Sequence, residues 1–479
     1  MVDSFKDIIK EIKEEVLSSK CNLEVYARVI PVSNTEGDEN TIYLQVSLQT
    51  EKTAFLNADF FSSNENFSKD YHPYVFEFLS SCSRRAYEEY YRKIEGKWVR
   101  AELTERGKKR TRKNVLSGNV VLCASPIVRK SKCLCLYKSG IKKEIRDALE
   151  KPVEFILYAN NNLDKINDVY IRDFCDKLDP SRLFSSIIYN VGQGNFIEMS
   201  FGDRTNCRHT VLFDVGITVE ENIKMDDNDC ENEYIKENIE HFNKINPETI
   251  ILSHWDIDHI LGVVYVNAWV EDSNIIWIAP DYTDMLNVTK TKQNNVTQSA
   301  IILLAYLLKT GKKVYLANKR GKLVCKSSDD KIKIWQGDGK SGCFTKTNNI
   351  GLVIELSLDD THGEMLFPGD CEYSHMPQEC VHSYDFMVAS HHAAKQNIPQ
   401  NLKAASSGAI CVCSLGENSY RHPSMKFIQN IREQGFMVEF TGCIKKYMIS
   451  YSCNAGCSFS SDPKTCCSLL GRFCEFHFR

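Results

Sequence analysis

The sequence holds no apolar run of the roughly 18 residues that a membrane-spanning helix needs. The longest candidate, Ala300-Ile301-Ile302-Leu303-Leu304-Ala305-Tyr306-Leu307-Leu308, has the length of a core helix. The first residues, Met1-Val2-Asp3-Ser4-Phe5-Lys6-Asp7, lack the apolar centre of a secretory signal and read as the start of an amphipathic helix. No internal repeat and no low-complexity tract is present, which argues against a solenoid or a linker-dominated chain. The expectation is a cytoplasmic, globular protein with no membrane partner.

Cysteine, by contrast, is plentiful, with 20 residues in 479. In a short secreted protein that count would mean disulfides. Here the chain is long and most cysteines sit in apolar segments such as Cys411-Val412-Cys413, so reduced thiols are expected. The tail from 453 to 479 is a separate case. Cys453-x3-Cys457 and Cys474-x2-His477 have ligand-like spacing. A small structural zinc site is one reading and free thiols are the other.

At 479 residues, 43 % hydrophobic and 25 % charged, the chain has room for two or three domains with large cores. Its net charge of −4 hides an asymmetry, because residues 84–150 carry 19 Lys and Arg against 8 Asp and Glu. The densest part holds Lys108, Lys109, Arg110, Arg112 and Lys113, and Arg129, Lys130 and Lys132 continue the bias. Such a stretch attracts phosphates and suits nucleic acid as a partner, or it is a solvated loop.

Residues 1–180 read as an α+β domain of unknown fold. A helix is expected at 4–18, strands at 23–32, 41–49, 97–102 and 119–124, and a second helix at 74–94. The polar segment 160–185 reads as a linker. From 183 to about 452 short apolar strands alternate with helices and loops rich in His and Asp. Strands are expected at 186–190, 196–200, 210–215, 249–252, 274–278, 313–316, 332–336, 351–357, 364–367, 386–388, 409–413 and 437–440. That pattern suggests sheets covered by helices.

The chemistry concentrates in Ser253-His254-Trp255-Asp256-Ile257-Asp258-His259. Four potential metal ligands follow the apolar run Thr249-Ile250-Ile251-Leu252, as when a buried strand presents several side chains to one or two divalent ions. Three further apolar segments end in functional groups. They are Phe213-Asp214-Val215-Gly216, Phe367-Pro368-Gly369-Asp370 and Ala389-Ser390-His391-His392.

In this order these motifs resemble the metallo-β-lactamase superfamily, whose fold is an αββα sandwich binding metal at one edge. Asn190-Val191-Gly192-Gln193-Gly194-Asn195, the His254-x-Asp256-x-Asp258-His259 loop and Asn418-Ser419-Tyr420-Arg421-His422-Pro423 are similar to motifs of its ComEC-type branch, that of the competence-protein nuclease domain. The chain departs from that pattern at Asn195, which replaces Asp, and at Ala393 and Arg421, which both replace Gly. His362 is the only histidine between His259 and Asp370, so the extra imidazole of many two-zinc members has no clear counterpart.

The resemblance implies that His254 and Asp256 hold one ion, that Asp258, His259 and one of His391 or His392 hold another, and that Asp370 bridges them. Zn²⁺, Mn²⁺ and Mg²⁺ all suit this carboxylate-rich set. Asp214 and Asn195 would support ligands from behind, and Asp258 and His422 would act at the reacting centre. The function implied is a metal-dependent hydrolase, a phosphodiesterase acting as a nuclease. The alternatives are a hydrolase for a small ester (a phosphorylcholine-type diester or a lactone) and a non-catalytic metal-binding module. A controlling partner protein is unidentified.

Overall fold

A computed structural model describes residues 16, 23–31, 41–63, 76–105, 115–122, 130–137, 140–163, 171, 174–178, 183–189, 191–192, 194–203, 206–217, 240–264, 266–286, 296–340, 346–358, 363–415, 422–441 and 473–477. The chain divides into two compact units. The first holds residues 1–165, 282–312 and 343–345, and the second holds the rest. The sequence reading had drawn one boundary near residue 180. The structure instead gives 166–178 to the second unit and takes 282–312 out of it.

The first unit is built on a closed antiparallel barrel. Its six strands run in the order Leu23–Pro31, Thr41–Gln49, Phe76–Ser83, Val115–Leu122, Lys130–Tyr137 and Trp98–Glu105, and the last pairs back with the first. Period-two alternation decides which side chains fill it. Ala27, Val29, Val46, Leu48, Phe76, Phe78, Ala101, Leu103, Leu134 and Leu136 form the core. The residues between them point outward. By register Arg28, Ser47 and Glu77 lie side by side across three strands.

Two expectations fail in this unit. Residues 76–83 form a strand where a helix was expected, and only Arg84–Glu89 is helical. Phe76 and Phe78 pack inward while Glu77 faces out, so sheet pairing overrides the helix-like mix of Tyr and Arg downstream. Residues 130–137, to which the sequence reading assigns no element, form a strand, and Lys132 on it is buried. The expected linker also begins later, because helix Lys143–Leu163 carries on through Asn160, Asn161 and Asn162.

The segment 282–312 belongs to the barrel unit through helix Gln298–Lys309. Thr297 caps its N-terminus by accepting from the Ala300 amide at 3.2 Å. The Gln298 amide donates to Ser47 Oγ at 3.3 Å, Ser299 Oγ donates to Glu77 at 2.5 Å, and Arg28 Nη1 donates to the Gln298 side chain at 3.1 Å. The Tyr306 ring stacks on Phe60 at 5.9 Å. The polar outer row of the barrel is thus capped by a helix that enters from distant sequence.

The second unit holds two seven-stranded sheets. One runs in the order Lys313–Ala317, Ile276–Pro280, Thr249–Ile251, Asn206–Val215, Phe196–Asp203, Leu183–Tyr189 and Phe473–His477. The other runs Lys322–Lys326, Ile332–Gln336, Leu352–Ser357, Glu364–Phe367, Phe386–Val388, Ile410–Cys413 and Met437–Phe440. Ile197, Met199, Val211, Phe213, Ile251 and Ile278 from the first meet Ile334, Ile354, Met365, Phe367, Val388 and Val412 from the second in one core. Alternate residues Val353, Leu366, Met387, Cys411 and Cys413 turn to the outer side and pack beneath Phe427, Ile428 and Ile431 of helix Met425–Glu433. On the first sheet's outer side Phe196 stacks on Phe242 at 4.0 Å and tilts against Trp269 at 5.9 Å. The architecture is a helix-faced double sheet, as the αββα expectation required.

The expected helix at 4–18 lies outside the described residues except at Val16. Among the described residues no helix is long and apolar enough to cross a membrane.

Candidate metal centre

Four loops that leave the ends of sheet strands meet at one edge of the sandwich. The first follows the buried strand Thr249–Ile251 and carries His254, Asp256, Asp258 and His259, the last two on the single helical turn Ile257–Ile260. The second is the turn at Asp214 and Gly216, and the third carries Asp370. The fourth is the Ser390–Ala393 turn after Phe386–Val388. All four follow apolar strands because the strands fix where each loop starts.

Gly216 shows how tightly the loops fit. A Cβ at this position would lie 1.6 Å from the Asp258 carbonyl oxygen, so no other residue lets the loops close. The same carbonyl accepts from the Asn195 amide at 3.2 Å, and the Gly216 amide donates to the Asn195 carbonyl at 2.8 Å. The backbone of Asp214, His391, His392 and Ala393 is left-handed, with φ of 58°, 51°, 51° and 59°. Such conformations cost roughly 1–3 kcal/mol each in a residue with a Cβ, and they persist where the surroundings over-determine them. Ala393 stands where the resembled motif has Gly and takes up a conformation Gly would adopt freely.

Asp370 is the hub. Its Oδ1 lies 3.2 Å from His259 Nε2 and 3.6 Å from His392 Nε2, and its Oδ2 lies 3.7 Å from His391 Nε2 and 3.9 Å from His254 Nε2. Asp256 approaches His254 Nε2 at 3.5 Å and Asp258 approaches His392 Nε2 at 3.6 Å. Two groupings follow, each with ligand atoms within 4.8 Å of one another. One is His254, His259 and Asp370, and the other is Asp258, His259 and His392.

Behind this layer the imidazoles of His254, His259 and His392 are each held by the other nitrogen. His259 Nδ1 is 2.8 Å from Asp214 Oδ2, His254 Nδ1 is 3.0 Å from Ser253 Oγ, and His392 Nδ1 is 3.0 Å from the Ser414 carbonyl. Asp214 is itself fixed by the Ser253 amide at 2.6 Å, by Ser253 Oγ at 2.8 Å and by Asn195 Nδ2 at 2.8 Å. Yet the Nε2 atoms of His254, His259 and His392 are buried without a hydrogen-bond partner. A buried polar atom left unpaired costs about 1–3 kcal/mol. Three of them converging on one carboxylate, each with its far nitrogen engaged, fit a divalent cation.

The electrostatics agree with a charged cluster. Burial alone would lower the His259 imidazole, but Asp370 and Asp214 outweigh it and hold it well above its ordinary range. Burial would raise Asp370, while His259, His391 and His392 pull it well below the usual carboxylate range. Asp258 is likewise held low by His392 and His259 against burial. His422 lies 5.7 Å from the His391 ring, centroid to centroid. Burial, together with His391 and His392, holds it well below its ordinary value and therefore neutral.

The structure thus brings together His254, Asp256, Asp258, His259, Asp370, His391 and His392, with His422 beside them and Asp214 and Asn195 behind. Between the paired histidines, His392 joins the Asp258 and His259 grouping and His391 faces His422. Lys108, Lys109, Arg110, Arg112 and Lys113 lie outside the described residues, as do Cys453, Cys457, Asn418, Tyr420 and His362. Cys474 and His477 lie on the strand Phe473–His477, paired with residues 185–189, and their side chains are outside the description. Sequence reasoning gave no role to Ser253, Ser414 or Asn348. Asn348 Nδ2 reaches Asp370 Oδ2 at 3.5 Å from the turn before Leu352–Ser357.

Comparison with known proteins bears on the same region. Residues 204–270 match the family model described as the metallo-β-lactamase superfamily, and the match spans the Asp214 turn and the 254–259 loop. The double sheet with its edge-mounted loops is consistent with this superfamily's fold. Among curated proteins no sequence matches the chain. Among solved structures, unliganded yeast PDE1 is similar at 12 % identity and a TM-score of 0.30, covering 55 % of this chain and 98 % of that one. A diphosphatase of the PhnP family is similar at 12 % identity and a TM-score of 0.26, covering 52 % of this chain and 81 % of that one. A Cronobacter sakazakii metallo-β-lactamase with a HARLDQ motif is similar at 14 % identity and a TM-score of 0.21, covering 43 % and 68 %.

Proposed function

We propose that the protein is a metal-dependent phosphodiesterase whose substrate is a nucleic acid. The observation that carries this reading is the set of three buried, unpaired imidazole nitrogens converging on Asp370. Bound divalent ions would supply an activated water and neutralise charge on the phosphoryl oxygens. The chain's own residues do the rest. His254, Asp256 and Asp370 would hold one ion, and Asp258, His259, His392 and Asp370 the other. Asp214 keeps the His259 Nδ1 nitrogen engaged, which leaves Nε2 free as the ligand atom. His391, whose Nε2 lies 3.7 Å from Asp370 Oδ2, would complete the first ion's ligands or meet a phosphate oxygen, and His422 beside it would meet the leaving group. The carboxylate-rich set admits Mn²⁺ or Mg²⁺ beside Zn²⁺. The basic composition of 84–150 supports a polyanionic substrate over a small ester.

The test pairs metal analysis of the purified protein with cleavage of single- and double-stranded DNA and RNA and of a small aryl phosphodiester. The Asp256→Ala/Asp258→Ala double variant is the control. Metal-dependent cleavage of a polynucleotide that disappears in the control is expected. Turnover of the small diester alone would replace the nuclease with a small-ester hydrolase. A protein that takes up no metal would overturn both.

A further inference from the structure

His391 and His392 are neighbours in the chain, yet both rings reach the same carboxylate. His391 Nε2 stands 3.7 Å from Asp370 Oδ2, and His392 Nε2 stands 3.6 Å from Asp370 Oδ1. Successive side chains of an extended strand point to opposite faces, so this convergence needs another backbone. Here both residues are left-handed, with φ and ψ of 51° and 48° at His391 and of 51° and 39° at His392. Ala393 follows with a φ of 59°. Each such conformation is disfavoured in a residue with a Cβ, and a run of them persists only where neighbours hold it.

The groups that hold it come from the loop that carries Asp370. The His391 amide donates to the Gly369 carbonyl at 3.0 Å, and Ser390 Oγ donates to the Cys371 carbonyl at 2.6 Å. The Ser390 amide, at the entry to the turn, donates to the Tyr373 hydroxyl oxygen at 3.2 Å. Gln396, beyond the turn, closes the circuit. Its Oε1 accepts from the Tyr373 amide at 3.1 Å and its Nε2 donates to the Ser390 carbonyl at 3.1 Å. Tyr373 is buried, and its ring stacks on Phe427 at 6.4 Å with 12° between the planes, which fixes where the hydroxyl stands. The far end of the turn is tied as well, because the Ala393 carbonyl accepts from the Ser424 amide at 2.8 Å, two residues past His422.

We infer that Tyr373, fastened by Gln396, is a positioning residue whose hydroxyl holds the His391–Ala393 turn left-handed and so keeps both imidazoles on Asp370. Without the hydroxyl the Ser390 amide loses its acceptor, the turn relaxes, and the two rings leave the carboxylate. This rests on the metal-dependent reading above and deepens it by naming a group that touches no ion yet sets how tightly ions are held.

The test is a calorimetric titration of Mn²⁺ into the full-length, chelator-stripped protein. Tyr373→Phe keeps the ring and its stacking but removes the acceptor, and Gln396→Ala cuts the two bonds that fasten Tyr373 to Ser390. Each should weaken Mn²⁺ binding about tenfold, the lower end of what residues supporting a metal ligand command. Phe427→Leu, which takes away packing and none of these hydrogen bonds, should lower the unfolding temperature and leave Mn²⁺ affinity unchanged. In a His391→Ala/His392→Ala background, Tyr373→Phe should have no further effect on the remaining affinity, since it acts through those two rings. Thermal unfolding of each metal-free variant tells a lost fold from a lost site, and if Tyr373→Phe does not fold, Gln396→Ala decides. Wild-type affinity in these variants, or an undiminished effect in the double-alanine background, overturns the inference and leaves the metal-dependent reading intact. No uptake of metal by the wild type overturns both.

Discussion

Two buried carboxylates, one in each compact unit, are held by serine hydroxyls, yet they serve different ends. In the barrel unit Glu77 accepts from Ser47 Oγ at 2.9 and 3.1 Å and from Ser299 Oγ at 2.5 Å. Its hydrogen-bond partners are neutral, and the result is a fastening between the barrel and the helix Gln298–Lys309. In the sandwich Asp214 accepts from the Ser253 amide, Ser253 Oγ and Asn195, and then spends its remaining capacity on His259 Nδ1. One carboxylate closes a packing problem. The other leaves an unpaired nitrogen on the far side of the ring it holds. A buried acid contributes to function only when its hydrogen bonds pass an unmet valence on to a neighbour.

Removing Asp214 is the strongest way to break this comparison. Asp214→Ala strands the Ser253 amide, Asn195 and His259, and loss of one partner from such a buried pair costs roughly 3–5 kcal/mol. Metal affinity should fall about 10–100-fold as well, because the His259 ring loses its orientation. Chemical denaturation and metal titration on the same samples check both numbers. Stability lost with metal affinity intact would make Asp214 a fastening like Glu77.

The complementary change is Glu77→Gln, read against pH. Burial pushes the Glu77 carboxyl from 4.5 up to about 7, even though Ser299, Ser47 and Gln45 bond to it. The folded protein therefore holds a proton that the unfolded chain has released. The resulting stabilisation is fully present below pH 4.5 and is lost as pH rises through about 7. A shift of that size amounts to roughly 3 kcal/mol at most between acid and alkaline conditions. The glutamine variant should flatten this part of the stability-versus-pH curve from pH 5 to pH 8, measured by thermal unfolding, and leave metal affinity unchanged. A wild-type curve with no slope there, or a variant with altered metal binding, would erase the distinction between the two acids.

The same contrast explains what was legible in the sequence. The 254–259 loop could be read because its candidate ligands are neighbours in the chain and follow a strand. The Asp214, Asp370 and His391-His392 turns could be read because each ends an apolar run. Ser253, Ser414 and Asn348 escaped because their roles come from loops brought together only by folding, and Ser, Asn and Thr fill most turns for local reasons. In the barrel unit the residues between core positions gave the wrong signal. Lys130 and Lys132 masked the alternation of Leu134 and Leu136, and the Tyr and Arg residues after Ser83 made a strand look like a helix. Nothing local in 298–309 tells that this apolar helix serves the barrel unit. That depends on Ser47 and Glu77, more than 200 residues earlier, which meet its first turn.

The smallest effect tests that last point. Thr297 accepts from the Ala300 amide at 3.2 Å and caps the helix whose first turn meets Ser47 and Glu77. Thr297→Ala removes the cap and should cost about 1 kcal/mol of stability. The loss falls on an element fastened within the barrel unit, so urea unfolding should shift while ion affinity, measured on the same protein, stays the same. If both moved together, the role of this helix would not be confined to the barrel unit.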